Sequence, residues 1–148
     1  MTIEQRIDEQ MKGAAKARDA AKLSTLRLIR AAVHNKRIEL QRDLEDKDVI
    51  QVLSSMAKQR KDSIEQFDKG GRLDLVEREE AELAVIKTFL PEELSEEEIK
   101  TEIDRVIEEV GATGPRDMGA VMKALMPRIA GRADGRLVSD LVKAALGS

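Results

Sequence analysis

Lys123, Arg128, Arg132, Arg136 and Lys143 place five cations in the last third of the chain, and the three arginines recur at four-residue steps around Gly131 and Gly135. Side chains of this type take phosphate. Guanidinium groups donate in forked pairs, and a turn leading into a helix exposes backbone amides that add to their pull. The same residues also suit a turn that simply packs and keeps a small helical unit in solution. A second stripe, Arg27, Arg30 and Arg37 with Lys12, Lys16, Lys22 and Lys36 nearby, carries the same pair of readings: a phosphate-binding face or a solvated helix.

Groups able to make or break bonds are harder to assemble. His34 is the only histidine and the chain has no cysteine, so these types offer no metal cluster, disulfide or thiol nucleophile. His34 shares its stripe with Arg27, Arg30 and Arg37, as a partly exposed residue of a solvated face would. Ser54, Ser55 and Lys58 have the residue types of an amidase Ser–Ser–Lys set. That chemistry needs a serine held in a strained glycine-rich loop, whereas all three fall in a regular helical pattern with no glycine near. Neither a G-x-x-x-x-G-K-[ST] phosphate loop nor a His-Glu-x-x-His pair occurs. Carboxylates abound, but nothing singles out two of them for acid–base work. The reading is of no catalytic residue, no metal and no cofactor. Arg60 lies on the stripe of Leu53, Met56, Ala57, Ile64 and Phe67, where an apolar residue is expected. It is read as snorkelling or pairing with a carboxylate of the following helix, such as Asp74 or Glu77, with a ligand contact as the alternative.

The elements that must position these residues are helices. Charged residues make up 37% of the 148, the good helix formers Ala, Leu, Glu, Lys and Arg dominate, and Phe67 and Phe89 are the only aromatics. Such scarcity excludes the single-stranded nucleic-acid platforms that stack bases on aromatic rings. The core must come from Leu, Ile, Val and Met. No apolar run of about eighteen residues occurs, so no membrane span is expected. The opening MTIEQRIDEQ reads as amphipathic and charged rather than as a secretory signal, and the expected address is cytoplasmic. The net charge of −3 hides segregation: residues 11–42 carry nine Lys/Arg against Asp19 and Glu39, whereas residues 91–110 carry two against nine acids. Residues 111–148 are basic again, six against three. An acidic chain of this kind can still bind a polyanion on one face, but does not coat DNA indiscriminately; specific DNA binding is not expected.

Periodicity predicts an all-α fold of seven helices. The first spans about 2–16 with Ile3, Ile7 and Met11 in register. The second runs from an Asp19 cap to Leu40 or slightly beyond, with Leu26, Ile29, Val33 and Leu40 inward. A third begins near Asp46 or Asp48 and ends at Gly70-Gly71. A fourth, about 73–89, buries Val76, Leu83, Ile86 and Leu90 before Pro91. Ser95 with Glu98 forms a capping-box signature for a fifth, which presents Ile99, Ile103, Val106, Ile107 and Val110 and stops at Gly111. Met118, Val121, Met122 and Leu125 mark a sixth, which Pro127 is expected to end. Leu137, Val138, Leu141, Val142 and Ala145 mark the seventh. The expected organisation is an N-terminal four-helix domain over 1–90, a linker over 91–95 and a C-terminal three-helix domain over 96–148.

The blocks Gly119-Ala120-Val121-Met122-Lys123, Gly131-Arg132-Ala133-Asp134-Gly135 and Leu141-Val142-Lys143 resemble the tail domain of the GatB subunit of the tRNA-dependent amidotransferase. Upstream, Leu26 to Ala32, Lys58 to Ile64, Gly71 to Val76 and Phe89 to Ser95 resemble the small YqeY proteins, which carry that tail after a helical region. The resemblance implies a noncatalytic accessory protein binding tRNA or another structured RNA, since the tail is understood to hold tRNA away from the catalytic pocket. It implies one alternative as well, participation in carbon–nitrogen ligase chemistry with glutamine as amide donor; the charged faces themselves offer another, a protein–protein adaptor docking through the acidic fifth helix or the basic second. The expected RNA contacts are Lys123, Arg128, Arg132, Arg136 and Lys143, with Arg27, Arg30 and Arg37 as a second patch.

Overall fold

Short polar side chains start several of the helices by satisfying amides that a helix leaves unpaired. The computed structural model of the protein describes residues 1–147 and contains seven α-helices and no strand among them. The all-α reading therefore stands. The described chain divides into two compact units, at Leu90 and Pro91.

The first unit holds α1 (Ile3–Lys16), α2 (Ala20–Leu40), α3 (Asp46–Lys69) and α4 (Leu73–Lys87). Thr2 opens α1 with a reciprocal box: Gln5 N–H donates to its hydroxyl at 3.1 Å, and its own N–H donates to Gln5 Oε1 at 2.9 Å. Asp19 opens α2, accepting from Lys22 N–H at 3.1 Å. Gly71, at φ +70°, turns the chain after α3 through the left-handed region that glycine enters without penalty. Inward stripes from all four helices then meet. Leu26, Ile29, Leu53 and Ile86 are fully buried, with Ile3, Ile7, Val49 and Phe89 around them. Val76, Leu83 and Leu90, expected inside, are only half-buried. Arg6 fastens α1 to the end of α4: its guanidinium donates to the Thr88 carbonyl at 2.8 Å and stands 5.5 Å from the Phe89 ring centre.

Ion pairs also tie this unit internally, among them two with well-covered acids. Arg42 grips Asp48 with both terminal nitrogens, at 2.8 and 3.0 Å, while Glu45 N–H donates to the same carboxylate at 2.9 Å. Arg60 pairs with Glu82 at 3.2 Å, both side chains largely buried. The partner is a carboxylate of the following helix, as expected, but neither Asp74 nor Glu77. Asp74 is engaged by its neighbour Arg72 in the first turn of α4, whereas Glu82, two turns further on, reaches the inner face where Arg60 lies.

The second unit holds α5 (Glu96–Val110), α6 (Met118–Ile129) and α7 (Gly135–Ala145), with a 3-10 turn at Pro115–Asp117 that periodicity does not reveal. Both halves of the Ser95–Glu98 box form, at 3.1 and 3.2 Å, and Gly111 ends α5 at φ +68°. The core is Ile99, Ile103, Val106, Val121, Leu125, Ile129, Val138, Val142 and Leu146. Leu137 and Ala145, expected on that stripe, are exposed, and Leu146 replaces them. Pro127 does not end α6, which continues to Ile129. A proline in the last turn removes one amide bond, and burial of Ile129 outweighs that loss.

Bidentate contact with Arg42, with the Glu45 amide second, lowers the Asp48 carboxyl from its ordinary 3.8 to about 2. A carboxyl depressed in the folded state contributes stability that is complete above its unfolded value and is lost as pH falls through its folded one. Asp48→Asn should therefore lower the urea midpoint of the first unit above pH ~4, and the gap to the parent should close between pH ~4 and ~2. A pH-independent gap across that range would contradict this assignment.

Candidate nucleic-acid interface

The five tail cations sit on α6, the turn after it and α7, but the fold treats them differently. Arg128 lies in the last turn of α6, not in a loop between helices, because α6 runs past Pro127. Its guanidinium is bonded to Glu109 and stands 3.9 Å from Glu102, both on α5. These two acids are seven residues apart and so share one helical face. Glu102 also accepts from Arg105 at 3.1 Å. The acidic α5 thus neutralises Arg128 locally.

Arg132 shapes the turn between α6 and α7. Its Nε–H donates to the Glu92 carbonyl at 3.0 Å, and its own carbonyl accepts from Leu94 N–H at 2.7 Å. Residues 92–94, expected as part of a linker, are thereby bonded to the turn. The Arg132 charge also helps hold the Glu98 carboxyl below its usual range, after the larger effects of the Ser95 amide and hydroxyl. Gly131, at φ +77°, supplies the reversal that lets the chain fold back over this contact.

Lys123 and Arg136 are exposed and make no ion pair among the described residues. Arg136 lies in the first turn of α7, whose cap Asp134 makes no side-chain cap bond. Lys143 is exposed seven residues further along the same face of α7. At the start of α6, Asp117 accepts from Thr113 N–H at 2.8 Å and Gly114 N–H at 3.3 Å, and these amides hold its carboxyl below the usual range.

The second patch divides in the same way. Arg37 is bonded to Glu4 of α1, with its Nε buried and unpaired, and Arg30 stands 3.8 Å from Asp8. Arg27 is exposed without an ion pair among the described residues, and His34 beside it is exposed too. Of the amidase-like residues, Ser54 donates its hydroxyl to the Ile50 carbonyl at 2.8 Å, while Ser55 and Lys58 are exposed on the regular helix α3. The acids that capture Arg128, Arg30 and Arg37 are what sequence reasoning misses. Their spacing on α5 and α1 is visible in the sequence, but which cation faces them depends on helix packing.

Comparison with known proteins places this geometry. The sequence matches the family described as Yqey-like protein over residues 4–146. It is 32% identical over 146 residues to altered inheritance of mitochondria protein 41, mitochondrial, of Lachancea thermotolerans, covering 95% of this chain and 76% of that one. The namesake in Pyrenophora tritici-repentis is 30% identical, over 97% of this chain and 80% of its own length. A glutamyl-tRNA(Gln) amidotransferase subunit of Thermococcus gammatolerans is 44% identical over 54 residues, 34% of this chain but 9% of that protein. The mitochondrial names overturn the cytoplasmic address. Lack of cysteine does not separate one reducing compartment from another.

Because Arg128 is about two-thirds covered and its partner Glu109 half-exposed, their pairing is a surface-type interaction. Arg128→Ala should destabilise the second unit by roughly 0.2–1 kcal/mol in urea unfolding. Glu109→Gln should do the same, and the double variant should cost less than the sum of the two; strict additivity would deny the contact.

Proposed function

The chain belongs to the Yqey-like protein family, and from that premise we propose that it is a noncatalytic accessory protein that binds tRNA or another structured RNA through its last three helices. One observation carries the proposal: a third of the chain is alike to a protein named for a tRNA amidotransferase. The exposed cations Lys123 and Arg136, with Lys143 on the Arg136 face, support it. They suit phosphate contacts along a folded RNA, where shape and backbone rather than stacked bases are read. Arg132 holds the turn in shape, and Arg128 is committed to α5, so neither heads the contact list. Direct amide transfer finds less support, since the likeness spans 9% of that amidotransferase protein and the Ser54 hydroxyl is engaged by its own helix.

Counterion release makes such binding fall with salt, and about three phosphate contacts give a log–log slope on the order of −2 to −3. Filter binding of tRNA across a salt series is the measurement. Replacing Lys123 and Arg136 together by alanine should weaken binding and flatten the slope by about 2. Arg128→Ala should leave the slope where it was. An unaltered slope and affinity in the double variant would remove these helices from the interface.

A further inference from the structure

Leu26, Ile29 and Val33 bury one side of α2, yet the opposite side also exposes two large apolar residues, Leu28 and Ile38. Ala21, Ser24, Leu28, Ala31, Asn35 and Ile38 are all exposed there, Leu28 by 46% and Ile38 by 61%. Their spacing alternates three and four residues along the helix, which is the a/d seam of a heptad repeat. We propose that this seam is a homodimer interface, in which α2 packs antiparallel against α2 of a second copy.

The order of the side chains points to a second copy of this chain. In an antiparallel pair each a position faces a d position, and a two-fold axis midway along the seam sets residue numbers that sum to a constant opposite each other. Ala21 then meets Ile38, Leu28 meets Ala31, and Ser24 meets Asn35. Every large side chain faces a small one, and the hydroxyl faces the amide that can bond it, so layers of near-equal volume form along the contact. A parallel pair in register would set Leu28 on Leu28 and Ala21 on Ala21, crowding one layer and leaving a void in another. With 21 residues, α2 is about 31 Å long. With Leu28 and Ile38 its only large apolar side chains, the seam is small, which sets a weak dimer that forms with rising concentration. A groove of about 400 Å³ of mixed character, lined among others by Asn35, Lys36, Glu39, Val52 and Met56, lies beside the seam. The other flank carries Arg27 and His34, and the two-fold axis puts both copies' Arg27 on that same flank. Salt screens their repulsion, so added salt tightens the dimer whereas it loosens an RNA complex.

Sedimentation equilibrium of the full chain tests this. The expected result is a mass that doubles with rising concentration, more readily at high salt. Leu28→Lys with Ile38→Lys should leave a monomer of unchanged helical circular dichroism, and Leu73→Lys, at a residue 65% exposed outside the seam, should leave the dimer intact. A monomer at every concentration, or a dimer that survives the paired lysines, overturns the proposal. Because the chain has no cysteine, oxidative cross-linking gives a second readout independent of how the lysine variant folds. Chains carrying Ala21→Cys mixed with chains carrying Ile38→Cys should cross-link to each other. Cross-linking of Ala21→Cys chains to themselves instead would overturn the antiparallel arrangement.

Discussion

A reciprocal contact between Arg132 and the chain at 92–94 governs the C-terminal unit. One bond runs from the guanidinium to the Glu92 carbonyl, the other from the Leu94 amide to the Arg132 carbonyl at 2.7 Å. Together they pin the segment leading into α5 against the turn between α6 and α7, so the position of Arg136 at the start of α7 depends on them. A flexible turn would leave the cations pointing in many directions, and each phosphate contact would then carry an ordering cost. Here one of the cations is used to hold the others in place.

Charge in this protein is a matter of pairing more than of counting. The acidic stretch 91–110 supplies Glu102 and Glu109 to Arg128, and α1 supplies Glu4 and Asp8 to Arg37 and Arg30. These pairs draw down both basic patches; among the three-arginine stripe and the five tail cations, Lys123, Arg136 and Arg27 are exposed without ion pairs among the described residues. A segregated sequence can therefore fold so that several cations of its basic stretches are paired with acids from other helices. That is the arrangement suited to a salt-sensitive, moderately tight complex rather than to indiscriminate adhesion.

Local features are legible from residues alone. The Asp19 cap, the Ser95–Glu98 box and the glycine stops at Gly71 and Gly111 need only neighbours in sequence, and all are present. What depends on contacts between helices is not legible in this way. Arg60 can be recognised as a cation on an apolar face, but choosing Glu82 over Asp74 requires knowing how α3 and α4 meet. Pro127 misleads, because a local penalty of one lost bond yields to burial of Ile129 two residues later. The exposed cations of the site are recognisable by type. Their division into bound and unbound members is not, since acids on distant elements decide it.

Both cores are built without tryptophan or tyrosine, with Phe89 the only ring fully buried in either. The molecule is therefore nearly dark in the near ultraviolet and has almost no fluorescence of its own. A single indole introduced beside Leu53 or beside Leu125 would shine against a silent background, so the melting of each half could be watched separately within the intact chain.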